Sequence, residues 1–172
     1  MIMTRHIVGA AVIAAAMLGP TPALAASSAS MTSKALLLKP LTLTKLKDLD
    51  FGDIVPSGTG DFVSIDADTG ARTTDKATLL ISNPGKRAEF ASSGVNNVLV
   101  GLVLSAPGDL VNAAGDKLKV TRLTLDQNNF PVRLLTPTSQ VFFVGIGGDV
   151  YVRPDQEDGD YTGTFTLTAV YY

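Results

Sequence analysis

Any chemistry in this chain would have to be done by carboxylates. Its 172 residues contain no Cys and a single His, His6. Thiol nucleophiles are excluded, and a Ser/His/Asp triad has no base beyond that N-terminal position. Zinc sites built on His or Cys fall with them. What remains is hydrolysis by a carboxylate pair, for which Glu89, Glu157 and many Asp residues supply groups, or a hard cation held by oxygen. Two clusters have the composition for calcium: Asp66-x-Asp68 with Gly70, and Asp155, Glu157, Asp158 and Asp160. An EF-hand is incomplete, because no Glu stands at the required distance from Asp66. Most of the Asp residues adjoin Gly, Asn or Pro, where they bond nearby backbone and shape turns. The residue types therefore predict no enzyme, no metal site and no cofactor. Sugar recognition calls for exposed aromatic platforms. Trp is absent, and Tyr151 and Tyr172 are the candidates.

The elements that must carry these residues begin after an export signal. Arg5 and His6 form a basic start, Ile7 to Leu18 is apolar, Gly19-Pro20 breaks the run, and Ala23-Leu24-Ala25 fits a cleavage site. Residues 1–25 are expected to be a signal peptide, and the mature chain is expected to be exported to the periplasm or cell surface. No later run reaches the roughly 20 apolar residues of a membrane span. The whole chain has 14 Lys and Arg against 16 Asp and Glu, and losing Arg5 makes it one charge more acidic. No basic stripe suggests nucleic acid as a partner. Without Cys, an exported fold must hold by packing and backbone ladders alone. A mature chain of about 150 residues suffices for one domain with a real core.

From Leu41 the chain reads as short strands cut by turns. Leu41 to Thr44 and Phe62 to Ile65 come first, the second followed by the turn composition Asp66 to Gly70. Thr78 to Ile81 stops at Asn83-Pro84-Gly85, and Val98 to Leu104 stops before Pro107-Gly108. Leu118 to Leu125, Val141 to Val144 ending at Gly145, and Val150 to Val152 follow. That spacing, with Thr, Val and Phe enrichment and no capped helical period, predicts an all-β antiparallel sandwich over residues 41–172.

The last twelve residues are the most regular. Tyr161, Gly163, Phe165, Leu167, Ala169 and Tyr171 share one face, and Thr162, Thr164, Thr166, Thr168, Val170 and Tyr172 the other. This alternation predicts a half-buried strand from Tyr161 to Tyr172 whose truncation is destructive. With Gly159 fourteen positions from the end and Tyr171 penultimate, the segment resembles the C-terminal pattern of chaperone–usher pilus subunits. The resemblance implies an incomplete immunoglobulin-like, pilin-like sandwich. It implies a periplasmic chaperone that pairs with the last strand and faces Phe165, Leu167, Ala169 and Tyr171. An ordinary terminal core strand explains the same alternation.

A second resemblance covers most of Leu41 to Tyr172. Asp48-Leu49-Asp50-Phe51-Gly52 with Ile54-Val55, Gly70-Ala71-Arg72, Val144-Gly145 with Val150 and Val152-Arg153-Pro154, and Tyr161-Thr162-Gly163-Thr164-Phe165-Thr166 are similar to the bacterial family called domain of unknown function 4402. It implies a small exported β protein of a Gram-negative bacterium, and carries no activity.

Residues 26–40 read as a flexible leader or a donor strand. Met31, Ser33, Ala35 and Leu37 alternate with Thr32, Lys34, Leu36 and Leu38, as an extended segment adding to a sheet edge requires. Head-to-tail exchange of such a strand would build an open filament. The other reading makes Ala35 to Leu43 the first strand of a complete sandwich. Two functions follow: a non-catalytic cell-envelope subunit, a fimbrial component that self-polymerises by strand exchange, or a self-contained exported sandwich that binds a glycan or a surface partner.

Overall fold

A computed structural model describes residues 28–172. The strands lie in one compact unit, Leu37–Tyr172. Residues 28–36 have no regular element, and the expected signal peptide lies outside the described residues. The strands are, in chain order, β1 (Thr42–Lys47), β2 (Ile54–Val55), β3 (Asp61–Ile65), β4 (Arg72–Thr74), β5 (Thr78–Leu79), β6 (Ala88–Ser93), β7 (Leu99–Leu104), β8 (Leu110–Val111), β9 (Lys117–Leu125), β10 (Val132–Leu134), β11 (Val141–Val152) and β12 (Leu167–Tyr171). A single helical turn, α1 (Asp126–Asn129), joins β9 to β10. The architecture is the all-β antiparallel sandwich that the turn spacing predicts.

β11 is the spine. Its first half pairs with β6, from Val141↔Ser93 to Ile146↔Ala88. Its second half pairs with β3, from Gly148↔Ile65 to Val152↔Asp61, and β9 pairs with it from Ile146↔Leu125 to Tyr151↔Lys119. β1 extends this sheet beyond β6, β4 beyond β3, and β8 beyond β9. β7 is the centre of a separate three-stranded sheet, flanked by β10 and β12, and β2 and β5 make a small ribbon.

The sequence pattern breaks β11 in two at Gly145, and the structure corrects this to one strand of twelve residues. The glycines are there for close approach. A Cβ on Gly145 would sit 2.4 Å from the Ala67 carbonyl oxygen, and one on Gly147 only 2.1 Å from that of Ile65. Glycine lets the chain leaving β3 cross the strand at this distance. The inward side chains Val144, Ile146, Val150 and Val152 continue through the crossing, all nearly fully buried.

Three other expectations need trimming. The closing strand starts at Leu167 and not at Tyr161; before it, only Thr162 makes a bridge, to Val111. The reason is its partner. Leu167 pairs with Leu104, the last residue of β7, and the chain beyond runs into Pro107, which has no N–H to continue a ladder. Thr78 to Ile81 shrinks to Thr78–Leu79, with Ile81 fully exposed. The first strand starts at Thr42 and takes in neither Ala35 nor Leu37. β6 carries no sequence signal of its own, because its buried face is Ala88, Phe90 and Ser92. Ser92 is tolerated there because its hydroxyl donates to the Thr42 carbonyl at 2.7 Å.

Two packed clusters form the core. One lies between β6, β11 and the end of β9 on one side and β7 and β12 on the other, and contains Val100, Leu102, Leu125, Leu135, Val144, Ile146 and Leu167. The other gathers Phe51, Val63, Ile65, Leu118, Val120, Val150 and Val152, with Ile54 and Leu79 of the β2–β5 ribbon against it.

Candidate functional site

The second cluster is roofed on one part only. A cleft of about 790 Å3 opens beside the ribbon, with Ala88, Phe90, Leu118, Val120, Leu123 and Val152 among its lining. One wall runs from Lys45 through Pro56, and the other from Gln156 through Phe165. The two segments that carry the family resemblance, Asp48 to Gly52 and Tyr161 to Thr166, therefore stand in opposite walls of one cleft.

The first wall is held stiffly. Asp50 and Lys86 exchange backbone hydrogen bonds of 2.9 and 2.8 Å, and the Gly52 amide donates to the Asp50 carboxylate at 2.8 Å. Arg72 donates to the carbonyls of Phe51, Asp53 and Leu80 at 3.0, 3.1 and 2.7 Å, tying wall to ribbon. Gly52 has φ +73°, and a Cβ there would lie 2.4 Å from the Asn83 carbonyl oxygen, which explains glycine at this point. Phe51 is buried under it.

The second wall is anchored at its start and bare further on. The Tyr161 hydroxyl donates to the Glu157 carbonyl at 2.7 Å and accepts from Gln156 at 2.7 Å. Thr162 exchanges backbone bonds with Val111. Gly163, Thr164 and Phe165 then make no backbone hydrogen bond among the described residues. Neither the outer edge of β1 nor that of β12 is paired with a strand among the described residues. An apolar floor between unpaired backbone groups is the arrangement that an added extended chain completes.

The sequence-predicted residues divide between two places. Leu167 is in the closed core, and Phe165, Ala169 and Tyr171 pack against it. The Tyr171 hydroxyl donates to the Lys39 carbonyl at 2.8 Å and accepts from the Val95 amide at 2.9 Å. Met31, Ala35 and Leu37 are exposed, Met31 and Leu37 at 94% and 90%.

The acidic clusters behave differently. Asp66 takes hydrogen bonds from the Thr69 amide and hydroxyl and the Asp68 amide, and the Thr69 bonds hold its carboxyl below the usual range. That is a turn, as the neighbouring Gly predicts. Glu157, Asp158 and Asp160 lie exposed along the cleft and make no ion pair among the described residues. Glu89 bonds Lys47 at 2.8 Å and Arg87 at 3.3 Å; the Lys47 bond first, then Arg87, lowers its pKa. No group of three or more potential ligands for a metal occurs among the described residues. Tyr151 packs on Phe62 with ring centroids 5.0 Å apart, and Tyr172 stands exposed.

The residues that sequence reasoning overlooked are Leu49, Phe51 and Gly163 as parts of a cleft. Leu49 and Phe51 lie outside any alternating run, and the alternation that includes Gly163 assigns it to a strand rather than to a cleft wall.

Comparison with known proteins is narrow. The family model described as "Domain of unknown function (DUF4402)" matches residues 41–171. No curated protein and no solved structure matches the chain. The match spans most of the chain, including both cleft walls and the closing strand, and the chain belongs to the DUF4402 family.

Proposed function

We propose that this protein is a non-catalytic structural subunit of the cell envelope, a pilin-like sandwich that assembles by β-strand exchange. The observation that carries the reading is the cleft. Its floor is apolar core, and Gly163 to Phe165 in one wall leave their backbone groups unmatched. An extended segment laid between the walls would cover the floor and satisfy those groups together. Main-chain bonds would supply affinity and alternate side chains specificity. The leader has the alternation to do this, with Met31, Ser33, Ala35 and Leu37 on one face. A periplasmic chaperone would occupy the same cleft before assembly, which suits an exported chain with an open sheet.

The test is sedimentation velocity of the purified protein and its Ala35→Asp/Leu37→Asp variant. The wild type should form concentration-dependent oligomers, and the variant, which would bury two carboxylates, should stay monomeric. A wild type that is monomeric at every concentration would count against strand exchange. It would favour the second reading, a self-contained exported sandwich binding a glycan or surface partner, for which the exposed Tyr172 ring beside Gly101 is the available platform.

A further inference from the structure

Both walls of the cleft carry carboxylates with no cation paired to them among the described residues. On the first, Asp48 is matched by Lys45 at 2.6 Å and Lys47 by Glu89 at 2.8 Å, while Asp50 and Asp53 accept only from neutral donors among the described residues. On the second, Glu157, Asp158 and Asp160 are exposed within four residues and have no cation paired to them among the described residues. The cleft is therefore negative on both sides, and most densely on the second wall. A strand that carries acid next to that wall would be repelled, and one that carries base would be drawn in.

The chain's own leader has the opposite composition. No Asp or Glu occurs before Asp48. Between Ser28 and Leu38 the only charged side chain is Lys34. With Met31, Ser33, Ala35 and Leu37 turned to the floor, period-two geometry turns Lys34 outward, toward the rim where the carboxylates stand. A cation at this position also fixes register, because a slip of one residue would swing Lys34 onto the apolar floor.

We infer that the occupant of the cleft is the leader of a second copy of this chain, selected by Lys34 against the Glu157, Asp158 and Asp160 wall. This rests on the strand-exchange reading and adds to it a condition: assembly is salt-sensitive and charge-specific. The carboxylates are exposed, so salt screens them over a distance of about 8 Å at physiological strength, and assembly weakens as salt rises.

Charge exchange between copies tests this. Two variants are made, Lys34→Glu and the triple Glu157→Lys/Asp158→Lys/Asp160→Lys, and their association is measured by sedimentation velocity at low salt and at about 0.5 M NaCl. Each variant alone sets like charges together, and should associate roughly tenfold more weakly than wild type at low salt. In an equimolar mixture every junction between unlike variants sets opposite charges together, so alternating assembly should recover wild-type association. Variants that associate as wild type does, with no salt dependence, would overturn the charge selection and leave strand exchange standing. Weakened variants that do not rescue each other would also overturn it. A wild type that never associates would remove both.

Discussion

The two core clusters differ in how they are closed. Between β6, β11, β7 and β12 the apolar side chains are covered by sheet on both sides, and Val100, Leu135 and Ile146 are fully buried. Around Phe51, Leu118 and Val120 one side is covered by sheet and the other by the two-residue strands β2 and β5, beside an open cleft. The braces differ in kind. The closed half is pinned by an ion pair in which the buried Arg133 meets the partly buried Asp126, whose other oxygen accepts the Gly145 amide at 2.9 Å. The open half is pinned by Asp61, which accepts the Thr74 hydroxyl and the amides of Phe62, Lys76 and Ala77. One half is finished by its own chain. The other has a stiff rim around a core that an open cleft leaves partly uncovered, the arrangement on which the proposed strand exchange rests.

The contrast can be broken by mutation, with the largest effect in the closed half. Asp126→Ala leaves the Arg133 guanidinium buried without its counter-ion and should cost about 3–5 kcal/mol in denaturant unfolding. Leu135→Ala, fully buried in the same half, should cost about 2–5 kcal/mol. Leu123→Ala in the cleft lining removes a side chain already partly solvated and should cost only about 1 kcal/mol. Equal losses for the two leucines would erase the distinction. Tyr171→Phe removes one donor and one acceptor that join Lys39 and Val95 to the closing strand, and should cost about 1 kcal/mol.

Acid should loosen the brace of the open half. The Thr74 hydroxyl above all, then the Ala77, Lys76 and Phe62 amides, hold the Asp61 carboxyl well below the ordinary range, against the opposing effect of burial. Its folded pKa lies under its unfolded one, so its stabilisation is complete above about pH 4 and is lost as pH falls below that value toward the folded pKa. Asp61→Asn should remove this acid dependence, measured as the pH profile of Tm. An unchanged profile would show that Asp61 is not the brace.

Much of the sandwich was legible because its strands are short β-prone runs bounded by turn residues. β3, β7 and β9 lie where the turn punctuation puts them, and the threonines of the last twelve residues face outward as alternation predicts. Pattern failed where the backbone does unusual things. Gly145 reads as a stop because glycine usually punctuates, whereas here it admits a second chain within contact distance. α1 is unreadable from periodicity, since Gln127, Asn128 and Asn129 take positive φ and form one left-handed turn. The cleft was not legible at all. Its walls are irregular segments, and its defining property is that Gly163, Thr164 and Phe165 have no backbone partner among the described residues, which no residue type announces.

Those three amides provide the most direct measurement. Hydrogen exchange at Gly163, Thr164 and Phe165 should be fast in dilute monomer and should slow progressively as protein concentration rises and a strand from another copy pairs with them. Exchange that stays fast while the protein associates would mean that association uses another surface, and the cleft would not be the acceptor.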